Sequence, residues 1–397
     1  MPGPLSGVVV IELAQVISGP LAGMQLAQQG AEVIKVEPFG GDPTRVSGNR
    51  QGGVGEVFYN CNRNKRSLAV DARAPAGRDL VVRLCEGADV VTQNFRPGKA
   101  AKLGLGPDEL LARNPSLIYA TINGFGADGP FAAQKVYDFV IQAAVGMAHA
   151  QRDRDTGRPA LVRNYVIDKC TAYAAAQAIT AALFARERDK ARRGQHLELN
   201  MLDAGLEFFW PDGMLGHTLL EPDEEFPGNL EFYDAYETLD GAISVFPIVP
   251  GFFAGLCDAL GHPEWQTDER FAELFARRRN MHAFVALVRD ALRGFSSADA
   301  LERLHAHDVA ASAVYAQGEV ADHPQVRWNG SLVERDDERI GRVRVPRHAP
   351  RFEATPVPPP GDAPLLGQHS AEVLAERLGL DADEIAKLIA DDVVRTA

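Results

Sequence analysis

The first third of the chain alternates between short apolar runs and longer amphipathic stretches. Val8–Leu13 predicts a buried strand, Ser18–Gln29 a helix with a proline in its first turn, and Glu32–Glu37 a second strand. Strands that alternate with helices favour an α/β fold with an open, mostly parallel, Rossmann-like sheet. The alternation continues with a strand at Ser67–Val70, a helix at Ala74–Glu86, a strand at Asp89–Thr92, a helix at Pro107–Leu111 and a strand at Leu117–Ile122.

The pattern changes near residue 220. Tyr236–Phe246 predicts a hairpin that turns at Asp240-Gly241. We therefore expect a large first domain at 1–219, a smaller α+β domain at 220–314 and a C-terminal segment at 315–397, which contains an extended proline-rich linker. The helices expected in the smaller domain are Phe252–Leu260, Phe271–Arg278, Met281–Leu292 and Ala298–His305.

Composition narrows the class of protein. A chain of 397 residues is longer than a single hydrophobic core usually supports, so two domains are expected. Its net charge of −13 argues against a nucleic-acid-binding protein and against a polybasic membrane contact. No run of about 18 apolar residues predicts a membrane span, and because Met1–Pro4 shows neither a basic region nor a long apolar core we expect no signal peptide. The four cysteines are far apart, without metal or disulfide spacing, so we expect a cytoplasmic protein without a metal site.

Asp168 is the most informative single residue. It precedes Ala172–Leu183, an alanine-rich segment almost free of charge that predicts a buried helix. The free N–H groups and the dipole at such a helix start favour an anion. A carboxylate there can be an N-cap, a general base or a nucleophile, and aspartate is a preferred N-cap residue.

Several candidate residues share the position where ligands bind on parallel sheets. Such ligands lie beyond the carboxyl ends of the strands. The residues expected at or just after such ends are Ser18, Phe39, Asn94, Gly124 and Asp168.

Short motifs in a fixed order extend over nearly the whole chain. They are Gly7–Leu13, Ser18–Gly23, Gly30–Pro38, Asn64–Leu68, Asn94–Gly98, Gly124–Pro130, Tyr137–Ala143, Val320–Val326 and Ala363–His369. In order and spacing they resemble the motifs of family III CoA-transferases. The resemblance implies a homodimer whose two chains are interlocked, with a large domain built from both termini and the small domain between them.

The resemblance also implies a reaction. Asp168 occupies the position of the family's catalytic nucleophile. It would attack an acyl-CoA to give a mixed anhydride, which coenzyme A would open to an aspartyl–CoA thioester before a carboxylic acid acceptor reverses the sequence. Coenzyme A is then a substrate, and no tightly bound cofactor is expected.

Coenzyme A needs partners for its phosphates and its adenine. Arg63, Lys65 and Arg66 form one basic cluster, and Arg96, Lys99 and Lys102 form another beside Phe95. The backbone N–H groups of Gly124 and Gly126 could face an oxyanion, although a turn after a strand explains these glycines equally well. The expected binding residues are Ile17, Arg63, Lys65, Arg66, Asn94, Phe95, Arg96, Lys102, Gly124 and Tyr137.

Two departures from related enzymes bear on the reaction. Racemases of this fold place a histidine where this chain has Tyr137, and a tyrosine exchanges protons poorly at neutral pH. Formyl-CoA transferases place a glutamine at Ile17 and a glycine-rich loop where Pro247–Gly251 has one glycine. A more apolar acyl group is therefore favoured over oxalate. An α-methylacyl-CoA racemase and a non-catalytic acyl-CoA-binding protein are the alternatives, and Asp168 argues against the second.

Overall fold

A computed structural model of the protein describes residues 3–153, 155–223, 233–246 and 250–397. The fold divides into two compact units. The larger unit contains Met1–Gly213 and Asn329–Ala397, and the smaller unit is Met214–Trp328. The larger unit is thus assembled from both ends of the chain. Its boundaries lie after Gly213 and Trp328, whereas the sequence pattern put them after residues 219 and 314.

Both units contain β-strands, which form their sheets. In the described residues they are, in chain order, β1 Val9–Glu12, β2 Glu32–Glu37, β3 Arg50–Gln51, β4 Val54–Gly55, β5 Arg66–Val70, β6 Val90–Gln93, β7 Ile118–Asn123, β8 Gln195–Asn200, β9 Tyr236–Glu237, β10 Ala242–Val245, β11 Ala311–Ala313, β12 Leu332–Asp337, β13 Gly341–Pro346 and β14 Val394–Arg395.

Helices connect most of these strands. Within the described ranges they are α1 Ser18–Gln28, α2 Glu56–Asn62, α3 Pro75–Glu86, α4 Lys99–Lys102, α5 Pro107–Arg113, α6 Asp138–Ala144, α7 Met147–Ala150, α8 Val166–Arg188, α9 Met201–Gly213, α10 Pro250–Leu260, α11 Leu274–Arg279, α12 Met281–Leu292, α13 Ser297–Ala306, α14 Pro324–Asn329, α15 Ser370–Leu378 and α16 Ala382–Ala390. None of them is both long and apolar enough to cross a bilayer.

The central sheet confirms the expected α/β class. In the part of the chain that the structure describes, its strand order is β14-β5-β2-β1-β6-β7-β8, and every pair is parallel except β14 with β5. The strands and helices expected in the first third of the chain are confirmed, with ends that differ by at most two residues. Strands β8 and β14, which the apolar pattern did not predict, extend the sheet at its two edges.

The core has a layer on each face of this sheet. Neighbouring residues of a strand point to opposite faces, and both faces are covered here. Val10 packs with Leu26 and Ile179 under α1 and α8, whereas the next residue, Ile11, packs with Leu84 under α3. Burial on both faces explains why neighbouring residues such as Val9, Val10 and Ile11 are all apolar rather than alternating with polar ones.

The smaller unit is built around an antiparallel sheet and an aromatic core. Strands β9 and β10 form the expected hairpin, in which Tyr236 pairs with Ile243, and β11 pairs with β10 on the other side. The ring of Phe284 lies against those of Phe253, Trp265 and Phe271. All four of the helices expected here are present, with α11 starting three residues later than predicted.

Candidate active site

The loops that leave the parallel strands meet at one edge of the sheet. Because β1, β2, β6 and β7 run in one direction, the residues that follow them lie on the same side. Ser18, Phe39, Asn94 and Gly124 follow these strands, as expected. Asp168 does not follow a strand, since irregular chain precedes α8. Asp168 reaches this edge from the first turn of α8 instead.

The loop at residues 13–17, which joins β1 to α1, is held by side chains from neighbouring strands. Lys35 Nζ donates to the carbonyl oxygen of Ala14 at 2.9 Å. The amide of Asn94 holds Gln15 from both sides: Nδ2 donates to its carbonyl at 2.7 Å, and Oδ1 accepts its N–H at 2.9 Å. The loop therefore has one defined conformation.

Val16 lies in this loop with φ at +73°, a left-handed conformation that is unfavourable for a β-branched residue. The carboxylate of Asp42 accepts the N–H of Val16 at 3.1 Å and helps to hold it there. The chain then folds back closely enough that a Cβ on Gly19 would lie 2.2 Å from the Cβ of Ala14. A strained and tightly packed turn thus delivers the chain to the start of α1.

A buried ion network lies next to the loop. The Nζ atoms of Lys35 and Lys65 approach the carboxylate of Glu12 to 3.1 and 2.8 Å, and all three side chains are fully buried. Lys35 also pairs with Asp42 at 3.0 Å. Lys65 donates in addition to the carbonyl of Pro20, in the first turn of α1, at 2.7 Å. The network thus links β1, β2 and the start of α1.

Asp168 is the third residue of α8 and is not its N-cap, a position that Tyr165 occupies. The N–H of Asp168 donates to Asp138 Oδ2 at 2.9 Å. Its Oδ1 accepts a hydrogen bond from the hydroxyl of Ser18, the first residue of α1. The N-terminal turns of two helices therefore converge on this carboxylate, and their dipoles favour its negative charge.

Helix α6 supports Asp168 from another side. Asp138 and Gln142 are both buried on it, and Gln142 Nε2 donates to Asp138 Oδ1 at 2.5 Å. Gln142 also fixes the chain before α8, since it accepts the N–H of Val162 at 2.9 Å and donates to the carbonyl of Asn164 at 3.0 Å. One helix face thus positions both the nucleophile candidate and the segment that leads to it.

The environment of Asp168 changes its acidity. Burial raises the pKa of Asp168 to about 6; the Asp138 carboxylate also raises it, whereas the hydroxyl and the backbone N–H of Ser18 lower it. The group is ionised at neutral pH but poorly solvated. A carboxylate in that state is a better nucleophile and base than one in bulk water.

An apolar groove of about 200 Å³ opens at the same edge of the sheet. The ring of Phe95 forms part of its wall, and Lys99 Nζ lies 4.9 Å from the centre of that ring. Arg96 and Lys102 are exposed on the segment that follows Phe95. The groove is lined by Leu13, Gln15, Val36, Glu37, Pro38, Val70, Asp71, Ala72, Arg73, Val81, Phe95, Lys99, Leu103 and Leu105.

The other basic cluster has a structural role in this geometry. Arg66 donates to Glu32 at 2.8 Å and to Glu376 at 2.7 Å. Lys65 is enclosed in the ion network, where burial lowers its pKa to about 8. Arg63 is only 2% exposed, and burial lowers its pKa too. Lys65 and Arg66 are thus paired with carboxylates and Arg63 is buried, and the contacts to phosphate expected for these three residues stay a prediction.

The glycines after β7 are explained by packing and by a turn. A Cβ on Gly124 would lie 2.2 Å from Cγ1 of Val136, so only glycine fits beside that side chain. The N–H of Gly126 donates to Asn123 Oδ1 at 2.6 Å and is not available for an oxyanion. The turn interpretation therefore holds for Gly126.

Two further expected residues differ in exposure. Tyr137 is the N-cap residue of α6 and is 67% exposed, whereas the next residue, Asp138, points inward. Ile17 is buried at the N-cap of α1, directly before Ser18. The loop at Pro247–Gly251 bears on the acyl group expected from the sequence, and its residues 247–249 lie outside the described ranges.

The site also uses residues to which the sequence pattern assigned no role. Asp42 and Lys35 hold the loop before α1, and Asp138 and Gln142 hold the start of α8. The last two are four positions apart in the Tyr137–Ala143 motif, a spacing that places polar side chains on one helix face, so that signal was present. Across the described residues, no group of histidine, cysteine or carboxylate side chains could hold a metal ion.

Comparison with known proteins gives the site a context. The family model of CoA-transferase family III matches residues 5–370. A probable fatty acyl-CoA transferase of Mycobacterium tuberculosis is 32% identical over 390 residues, which covers 94% of this chain and 98% of that protein. A succinyl-CoA–D-citramalate CoA-transferase of Chloroflexus aurantiacus is 32% identical over 399 residues, with 99% and 98% covered.

A solved structure agrees with these sequence comparisons. A CAIB/BAIF family protein from Brucella suis superimposes with a TM-score of 0.81 at 33% identity, and the match covers 95% of this chain and all of that one. The similarity therefore extends over both compact units rather than over the parallel sheet alone.

Proposed function

The chain belongs to CoA-transferase family III, and from that premise we propose that it transfers coenzyme A from an acyl-CoA donor to a carboxylic acid through covalent intermediates on Asp168. One observation carries the covalent part of the proposal. Asp168 is an oriented, poorly solvated carboxylate at which the N-terminal turns of α1 and α8 converge.

The first half of the reaction begins with attack by a carboxylate oxygen of Asp168 on the thioester carbonyl carbon. A C–O bond forms, the C–S bond breaks, and the electron pair leaves on the sulfur of coenzyme A. The product is a mixed anhydride between Asp168 and the acyl group. Attack needs an ionised carboxylate with a fixed orientation, and Ser18 and Asp138 provide that orientation.

The second half begins when the coenzyme A thiolate attacks the aspartyl carbonyl carbon of the anhydride. A C–S bond forms, the C–O bond to the acyl group breaks, and the donor acid leaves as a carboxylate. An acceptor carboxylate then runs both steps in reverse and leaves as the new acyl-CoA. No net proton transfer is needed, which fits a site with one essential carboxylate.

We assign coenzyme A itself to the Phe95 groove and its rim. The apolar wall suits the adenine ring, and the exposed cations Arg96, Lys99 and Lys102 suit its phosphates. Asn94 supports this site indirectly, because its amide holds Gln15. The acyl group we expect to be apolar, since an isoleucine, Ile17, precedes Ser18.

The test compares Asp168→Asn with a matched control. Wild type, Asp168→Asn and Asp189→Asn, which changes a carboxylate paired with Arg193 at the far end of α8, are incubated with a series of acyl-CoA donors and carboxylic acids. We expect transfer with wild type and the control and none with Asp168→Asn. Hydroxylamine should mark Asp168 by peptide mass in wild type and in the control. Substantial transfer by Asp168→Asn would refute the covalent role.

The racemase alternative is tested in the same preparation. Racemisation needs a second acid/base on the opposite face of the α-carbon, and Tyr137, where racemases have histidine, is 67% exposed. With a 2-methylacyl-CoA in heavy water we expect little deuterium at the α-carbon and transfer to an added acid. Rapid deuterium uptake without transfer to any acid would favour the racemase.

A further inference from the structure

Ser18 has a position that its own helix does not explain. A serine at the start of a helix commonly caps that helix with its hydroxyl, but the N-cap of α1 is Ile17 and no side chain caps it. Ser18 is only 4% exposed, so water does not take up its hydroxyl. The hydroxyl donates to Oδ1 of Asp168, which is 150 residues away in the chain.

The backbone before Ser18 indicates that this contact is imposed by the fold. Val16, two residues before Ser18, keeps a left-handed conformation, and its N–H donates a hydrogen bond to the carboxylate of Asp42. Gly19, directly after Ser18, packs so closely on Ala14 that it has no room for a side chain. Backbone strain persists where the surrounding structure over-determines it, and such places cluster at functional sites.

We propose that Ser18 is an oxyanion donor for the aspartyl carbonyl, so that its hydroxyl stabilises the charge that develops on Oδ1 when coenzyme A thiolate attacks the anhydride. This inference rests on the function proposed above for Asp168. In that step the C–S bond forms at Cγ of Asp168 while the electron pair of the Cγ–Oδ1 π bond moves onto Oδ1. The pair returns as the bond from Cγ to the other oxygen breaks and the donor acid leaves.

The two half-reactions depend on Ser18 in opposite ways. In the first, Oδ1 loses negative charge as the carboxylate becomes an anhydride, so a hydrogen bond to Oδ1 orients the nucleophile but does not stabilise a developing charge. In the second, Oδ1 gains a full negative charge, and a donor already in place is most valuable there. Loss of the hydroxyl should therefore slow the second half-reaction more than the first.

Among the described residues, few other ionisable groups lie around Asp168. Helix α1 carries no charged side chain, and α6 contributes Asp138. On α8 itself, Lys169 donates to Asn164 and Cys170 lies near the carboxylate. On the neighbouring β8 and α9, the carboxylates of Glu198 and Asp203 accept hydrogen bonds from Asn123 and Asn200. Ser18 is thus an uncharged residue whose hydrogen bonds to the carboxylate favour the ionised form of Asp168.

The test uses Ser18→Ala, with Ser18→Thr to restore the hydroxyl. We expect Ser18→Ala to lower kcat by about 10²- to 10³-fold, the usual effect of removing one oxyanion donor. The aspartyl–CoA thioester should then form slowly. The mixed anhydride, which hydroxylamine traps, should therefore increase relative to the thioester. The acid limb of kcat/KM should move to higher pH, because a contact that lowers the pKa of Asp168 is gone. Ser18→Thr should recover both properties.

Controls separate this role from stability and from the proposed function. Thr180→Val removes a hydroxyl that donates to Ala176 on the same helix α8, and it should leave the kinetics unchanged. Equal slowing of both half-reactions in Ser18→Ala, with an unmoved acid limb, would overturn the oxyanion role while Asp168 remained the nucleophile. If Asp168→Asn were active, the proposed function would fail first and independently.

Discussion

At the scale of single residues, the reactive form of Asp168 is its ionised carboxylate, and this form lowers the stability of the folded protein. Burial raises the pKa of Asp168 to about 6 from an ordinary value near 4, so folding favours its neutral form. Above about pH 6 the folded protein holds an ionised, poorly solvated group that the unfolded chain would solvate fully. This cost decreases as pH falls through 6 and vanishes below the unfolded pKa.

The same linkage predicts the effect of Asp168→Asn on stability. Because asparagine has no charge, the variant should be more stable than wild type by roughly 1–3 kcal/mol at neutral pH, although it is inactive. The difference should shrink as pH falls from 6 to 4. Denaturant unfolding at a series of pH values measures it, with Asp189→Asn as the contrasting variant that should lose rather than gain stability, because Arg193 pairs with its carboxylate and lowers its pKa. An Asp168→Asn variant that is less stable than wild type at pH 7 would contradict the assigned cost of burial.

At the scale of elements, the parallel strands could be predicted because burial on both faces makes them continuous apolar runs. β1 is such a run at Val9–Ile11, and β2 has an apolar centre at Val33 and Ile34. β8 was missed because it is Gln-His-Leu-Glu-Leu-Asn at an edge of the sheet, where polar residues are tolerated. β14 was missed because two residues that pair with β5 across more than 300 positions leave no local pattern.

The acidic residue of the candidate site could be predicted from the sequence, whereas the contacts of its basic residues could not. Ser18 lies in a motif and Asp168 precedes an alanine-rich segment, and the structure brings the two together. Lys65 and Arg66 were expected to meet phosphates because sequence shows a positive charge but not its partner. Their partners, Glu12 and Glu376, are 53 and 310 positions away. Only the folded chain shows that these charges are already neutralised.

The β1–α1 loop leads to a prediction about Asn94. Asn94→Ala leaves both backbone groups of Gln15 without their partner, which should lower stability by about 1–3 kcal/mol. It should also lower kcat, by about tenfold to a hundredfold, because Ser18 then loses its orientation. Thermal unfolding and steady-state kinetics measure the two effects.

A similar clamp provides the control. Asn114 Nδ2 donates to the carbonyls of Glu86 and Ala88, and its Oδ1 accepts the N–H of Ser116, at the opposite edge of the sheet. Asn114→Ala should lower stability to a similar degree and leave kcat unchanged. Equal kinetic effects of the two variants would mean that Asn94 acts through general stability rather than through the loop.

At the scale of the whole molecule, a polyanionic substrate must bind to a protein with a net charge of −13. Binding then depends on local cations, which for the proposed groove are Arg96, Lys99 and Lys102. Lys102→Ala should raise KM for acyl-CoA about three- to tenfold, because one exposed contact to phosphate is worth about 1 kcal/mol. Salt should raise KM in wild type more than in the variant. Lys190→Ala, which removes another exposed lysine, should leave KM unchanged.

The larger unit also exposes several large apolar side chains on the surface of α8 and α9. Phe184 is 64% exposed and Tyr173 is 56% exposed on α8, and Phe208 is 54% exposed on α9. We propose that a second copy of the chain covers this surface, as the resemblance to the family's homodimers implies. Burial of several large apolar side chains on each copy would make such an association tight.

An interlocked dimer differs from an ordinary tight dimer in how it comes apart. Two chains that are threaded through each other can separate only if they unfold, so dilution of the native protein to nanomolar concentration should give no monomer, by native mass spectrometry or sedimentation. Refolding from denaturant should, by contrast, slow as protein concentration falls, because assembly is part of folding. An ordinary dimer would release folded monomer on dilution. A folded, active monomer at any concentration would disprove the interlocked assembly and leave the assignment of Asp168 unaffected.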